Sequence, residues 1–149
     1  MVISYDTFTN DFLQKITEYN FLRLEENVRQ DIVDGYMKHA LQQFTVVCKN
    51  VIEYWDDDTR EVYLFVTTQT DFDEILDIIT EGMLVQWMKP YMYKQENLEN
   101  MLNSSDFSAY SPAELLKRVT TAYDECRQEF RHRIRKYSYD HGDLTDLHL

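Results

Sequence analysis

The chain has only three glycines, two prolines and two cysteines in 149 residues. So few turn formers argue against a many-stranded all-β fold and favour long helices. Cys48 and Cys126 have no CxxC spacing and cannot build a disulfide framework, so both read as buried free thiols. A glycine-rich phosphate loop is missing, as are the patterns GxSxG, HExxH and GxxxxGKS/T. The four histidines, His39, His132, His141 and His148, stand in separate contexts. Asp140, His141 and Asp143 could hold a divalent ion, but Gly142 as a helix cap is the simpler account of that stretch. Acidic pairs such as Asp73/Asp77 and Glu74/Glu81 lack the Glu-x-x-His partner of a di-iron bundle. Met83, Met88, Met92 and Met101 read as core filler. Nothing in the sequence argues for an enzyme, a cofactor or a bound metal.

Positive charge is also short. The net charge is −12, and a uniformly acidic body repels phosphate, which argues against a freestanding nucleic-acid binder. The charge is uneven: Leu115 to His141 carries a net +3, leaving −15 on the remainder. An acidic body with one basic helix end suits head-to-tail contacts between copies, or a basic end that touches a nucleic acid or an acidic partner. The bland account is a solvated face with intrahelical pairs, Asp124 with Arg127 and Glu129 with Arg133. Aromatic residues are abundant at 14%, with 11 tyrosines, a composition that favours protein-protein interfaces.

What the chain does have is one stretch apolar on nearly every helical face, Thr70 to Tyr93. Ile75, Leu76, Ile78, Ile79, Met83, Leu84, Val85, Trp87 and Met88 cannot share a single stripe, so a helix here must be enclosed by other elements. Thr70 or Asp71 is the expected N-cap, and Pro90 the point where the helix stops or bends. The run is too short and too interrupted by Asp77, Glu81 and Gln86 to cross a bilayer, and no signal peptide precedes it; a soluble, intracellular protein is expected.

Around this core the pattern predicts one domain, mainly α: a small helical bundle about the central hydrophobic helix, with a β-hairpin or extended arm inserted at about 45–70 and a carboxy-terminal tail at 143–149. A short extended piece leads into a helix capped by Asp6 or Thr9, with Phe8, Phe12, Leu13 and Ile16 on one face. Glu25 to Phe44 is a second helix, or one that runs on through Val47 or Cys48. Its inner face carries Val28, Ile32, Val33, Tyr36, Met37, Ala40, Leu41 and Phe44, and Gly35 marks a close approach of two backbones. Asp56 to Thr59 is turn material between two β-branched, aromatic runs, which suit a projecting arm. Gln95 to Leu102 reads as a short helical turn. Ser111-Pro112-Ala113-Glu114 is a capping box that opens a long helix with Leu115, Val119, Ala122, Tyr123, Cys126, Phe130, Ile134 and Tyr137 inward and Gly142 as its end.

The block from Leu84 to Leu144 resembles the head-tail connector (adaptor, or neck) proteins of tailed bacteriophages. The resemblance rests on Trp87-x-x-Pro90, Glu96-Asn97-Leu98, Asp106-Phe107, Tyr110-Ser111-Pro112, the long helix and Tyr137-Ser-Tyr-x-x-Gly-Asp-Leu144. It implies a virion structural protein forming a dodecameric ring on the portal vertex, extending the DNA channel and meeting the next neck or tail protein. It would assemble in the host cytoplasm and reside in the virion neck, with no membrane partner. By the same analogy Asn50 to Val66, with Tyr54, Trp55, Tyr63 and Phe65, would meet neighbouring subunits. Arg131, Arg135, Tyr139, Asp143, Leu144 and Leu147 would face the portal protein. An acidic wall lets genomic DNA pass without specific binding, since phosphate contacts would hold it. The rival expectation is an acidic regulatory protein that binds and blocks a basic, DNA-binding partner.

Overall fold

The computed structural model describes residues 1–17, 30–93 and 111–142. Along them run β1 (Val2–Ser4), α1 (Tyr5–Ile16), α2 (Gln30–Val47), β2 (Ile52–Asp56), β3 (Glu61–Leu64), α3 (Gln69–Tyr93) and α4 (Pro112–His141). The protein is mainly helical, with a small antiparallel sheet of order β1-β3-β2. The expected first turn of the second helix, from Glu25, and the turn at Gln95 to Leu102 lie outside the described residues.

The central helix is where the apolar run places it. α3 packs against α1, α2 and α4 together, which is how it buries Phe72, Ile75, Ile78, Ile79, Met83, Leu84, Val85, Trp87 and Met88 at once. Its start differs from expectation. The Thr68 hydroxyl accepts the Asp71 amide at 3.2 Å, and the first helical residue is Gln69. Nor does Pro90 end the helix, which continues to Tyr93. Proline removes a single amide donor; Trp87 and Met88 buried before it, and Tyr91 and Met92 packed on the core after it, hold the turn in place. No helix among the described residues is long and apolar enough to cross a membrane.

α4 follows its sequence signal closely. Ser111 accepts the Glu114 amide at 3.2 Å and Glu114 reaches back to the Ser111 amide, completing the capping box. All eight inward positions named above are buried. Gly142 caps the end with extended backbone, φ −71°, not a left-handed turn. Glycine is required there because a Cβ would run into the Ser138 carbonyl oxygen.

The inserted segment is a hairpin, but not a free arm. β3 is its inner strand, paired with β2 on one side and with the chain's first residues on the other: Ile3 faces Val62, and Met1 and Leu64 exchange two backbone hydrogen bonds. Val62, Leu64 and Ile52 are buried. A two-stranded hairpin is marginal in water, and the third strand and the core beneath it supply what it lacks. The tip is clamped as well. Arg60, with φ 53°, donates to Asp34 at 3.1 and 2.9 Å and to Asp6 at 2.9 Å, and lies over the Tyr5 ring. These charge-assisted bonds offset the cost of its left-handed backbone.

Strand-to-helix entry at the amino terminus also corrects the expected cap. Ser4, not Asp6 or Thr9, caps α1, because Tyr5 already gives its amide to the Arg60 carbonyl and turns straight into the helix. Phe8, Phe12 and Ile16 are buried as expected, but Leu13 is 39% exposed, and Ile32 on α2 is 45% exposed. Gly35 has nothing within 4 Å of where a Cβ would sit; the tight crossing is at Gly82.

Candidate interaction surfaces

Three helices are tied by charge around Asp77 of α3. Lys15 of α1 donates to the Asp77 carboxylate at 2.6 Å and to its carbonyl at 2.9 Å, and Arg133 of α4 bonds the other carboxylate oxygen. Arg133 also holds Glu129 at 2.8 Å, so that expected helical pair forms. Asp124 and Arg127 form no ion pair; Arg127 lies over the Tyr123 ring instead. Burial pushes the Asp77 carboxyl up, but the Lys15 bond and charge, with Arg133, outweigh it and hold it below the usual range. Glu81 nearby goes the other way, raised by burial more than Lys15 and Arg133 lower it.

A carboxylate held low adds stability above its unfolded value, near about 3.9, and that contribution disappears as pH falls through the lower folded value. Chemical unfolding followed from pH 6 to pH 2 is expected to show this loss in the wild type. Asp77→Asn should flatten that acid limb while lowering stability at pH 6. An unchanged acid limb in Asp77→Asn would remove Asp77 as its source.

With Arg133 turned inward, α4 leaves a different face outward. Arg131, Arg135 and Tyr139 follow at four-residue steps, all exposed, with Tyr139 77% accessible. Arg131, Arg135 and Lys136 have no ion-pair partner among the described residues. Of the other positions expected to face a partner, Asp143, Leu144 and Leu147 lie outside the described residues.

On the hairpin, Tyr54 and Tyr63 face each other in register and stack, with ring centroids 4.3 Å apart and planes at 13°. Phe65 beyond them is 55% exposed. Trp55 does not join this surface fully; it is half-buried and packs against the core. β2 is an edge strand, short and interrupted between Ile52 and Tyr54, as edges that face solvent commonly are.

Between the two surfaces lies a cleft of about 730 Å³, lined by the end of α2, the base of the hairpin and the last turns of α4. Val47, Val66 and Tyr139 give it apolar walls, Lys49 and Arg135 give it positive charge, and Asp71 of α3 adds one carboxylate. Cys48 lies in its wall but is an inert thiol, donating to the Ile134 carbonyl at 3.4 Å, with burial pushing its pKa up to about 11. Both cysteines are buried and free, as expected. At the cleft's edge, His141 stacks on Tyr137 and meets the Glu74 carboxylate at 3.2 Å. Sequence reasoning set His141 beside Asp140 and Asp143; its contact is a helix 67 residues away, for which no local signal exists.

Compared with family models, with curated proteins and with solved structures, the chain finds no match in any of the three.

Proposed function

We propose that the chain is a structural ring protein of a tailed-bacteriophage neck, joining the portal vertex to the next neck or tail component around the DNA channel. The observation that carries this reading is the outer face of α4. Arg131, Arg135 and Lys136, without an ion-pair partner among the described residues, share α4 with an exposed Tyr139, and Arg135 and Tyr139 line the neighbouring cleft, in a protein of net charge −12. Unpaired arginine with tyrosine is the composition of a protein-binding surface. Its charge is opposite to that of the body, which suits contacts between unlike patches; such heterologous contacts close into rings when the rotation allows. The stacked Tyr54/Tyr63 pair and Phe65 on the hairpin offer a second, separate patch for a neighbouring subunit. The family resemblance of residues 84–144 supplies the identity of the partners: portal on one side, a further neck or tail protein on the other.

The mass of the purified protein, alone and with the portal protein of the same genome, tests this. The expected result is a closed oligomer, or a monomer that joins the portal in equal copy number. Arg131→Glu with Arg135→Glu is expected to abolish the joint complex while leaving the unfolding curve unchanged, since both side chains are exposed. A monomer indifferent to portal, yet binding a basic DNA-binding protein in a salt-dependent way, would favour the acidic regulatory reading instead.

A further inference from the structure

We propose that Asp71, Glu74 and His141 form a site for one divalent ion of the zinc, nickel or cobalt class, clamping the first turns of α3 to the last turn of α4. The site does not depend on the neck reading. One oxygen or nitrogen from each residue lies within 4.8 Å of the other two. Asp71 and Glu74 are three apart on α3 and so share a face, while His141 arrives from the far end of α4. Donors around a tetrahedral zinc, at about 2.0–2.2 Å from the ion, sit roughly 3.3–3.6 Å apart. Glu74 and His141 are already at 3.2 Å. The Asp71 carboxylate, within 4.8 Å of both, closes on them by a side-chain rotation.

Three further features point to a cation and not to a plain ion pair. The imidazole is held in orientation, its ring 4.2 Å from Tyr137 at 22°, and Tyr137 itself is buried. Two carboxylates face one imidazole, and no lysine or arginine of the described residues pairs with either; Arg135 lines the same cleft without reaching them. Finally, Asp71 and His141 line the open cleft, so water has access to the coordination position that three protein ligands leave open. An imidazole with two carboxylates suits borderline ions and selects against magnesium and calcium, which prefer oxygen alone. The consequence is mechanical: a bound ion would fix the last turn of α4, and with it Tyr139 and the direction in which the chain leaves Gly142.

The test is titration of the metal-free full-length protein with Zn²⁺, by calorimetry, and with Co²⁺, by its visible absorption. The expected result is one equivalent of tight binding in the wild type, accompanied by a rise in melting temperature. His141→Ala and Glu74→Gln are each expected to weaken binding by about 100-fold or more, and His132→Ala to leave it unchanged. His141 and Glu74 lie on the surface, so the variants are expected to show the wild-type circular dichroism and melting temperature without metal. No binding at millimolar ion would overturn the proposal. So would binding, or a melting shift, that both variants retain.

Discussion

Gly82→Val is expected to destabilise the protein by more than about 3 kcal/mol. A Cβ at Gly82 would lie 2.7 Å from two ring carbons of Phe130 and 2.8 Å from the Cβ of Ala40. Both neighbours are buried, one on α4 and one on α2. Phe130 could turn its ring only into a filled core, and Ala40 has no rotamer to change, so α2 and α3 themselves would have to part. Gly82→Ala sets two effects against each other. Alanine gains roughly 1 kcal/mol of helix propensity, whereas overpacking costs about 1–3 kcal/mol. Contacts from two sides make the cost win, and a net loss of about 1–2 kcal/mol is expected. Ala40→Gly in the Gly82→Ala background should recover part of it, because it removes one of the opposing atoms. Gly35→Ala is the control: with open space around it, the propensity gain of about 0.5–1 kcal/mol stands alone and the variant is expected to be more stable. Urea unfolding of the four proteins decides the matter, and a Gly82→Ala variant as stable as the wild type would mean that α2 and α3 do not cross here.

These two glycines show where the sequence was readable and where it was not. Both sit in helical patterns, and propensity marks each as costly, but which one meets another helix depends on contacts 42 and 48 residues away that no local pattern carries. Features with a local cause were legible. The capping box at Ser111 and Glu114 lies within four residues, and the inward positions of α4 follow from its period alone. The enclosure of Thr70 to Tyr93 could be read because a helix apolar all round has nowhere else to go. The third strand could not be foreseen: β1 is three residues long, and its pairing with Val62 spans about 60 positions of chain. For the same reason the sequence leaves a hairpin or an extended arm equally open at about 45–70, and it is the distant pairing of the Arg60 guanidinium with Asp34 and Asp6 that ties the hairpin down. Arg131, Arg135 and Tyr139 come from the connector resemblance, and the structure leaves all three exposed on one helix, whereas the meeting of Asp71, Glu74 and His141 needs two helices folded together.

Trp87 measures how far the core depends on the central helix. It is 2% exposed, with Phe12 and Tyr91 both edge-on to its ring at 6.1 and 6.3 Å, so it joins α1 to the end of α3. Trp87→Ala removes that contact area and leaves a cavity, for which a loss of about 3–5 kcal/mol is expected. Ile79→Ala, at a fully buried position, is expected to cost about 2–5 kcal/mol by the same mechanism. The indole N–H of Trp87 changes the argument for a milder variant. It is buried without a hydrogen-bond partner among the described residues, so the tryptophan carries the cost of a desolvated donor, on the order of 1–3 kcal/mol. Trp87→Phe gives up part of the apolar area and also removes that donor. The two effects oppose each other, and a net change under about 1.5 kcal/mol is expected. Unfolding in urea, followed by far-ultraviolet circular dichroism, separates the cases: Trp87→Ala should shift the midpoint strongly with little change in slope, and Trp87→Phe only slightly. A phenylalanine variant as unstable as the alanine one would mean that the indole nitrogen is satisfied in solution after all, and that the ring is held by a polar contact as well as by packing.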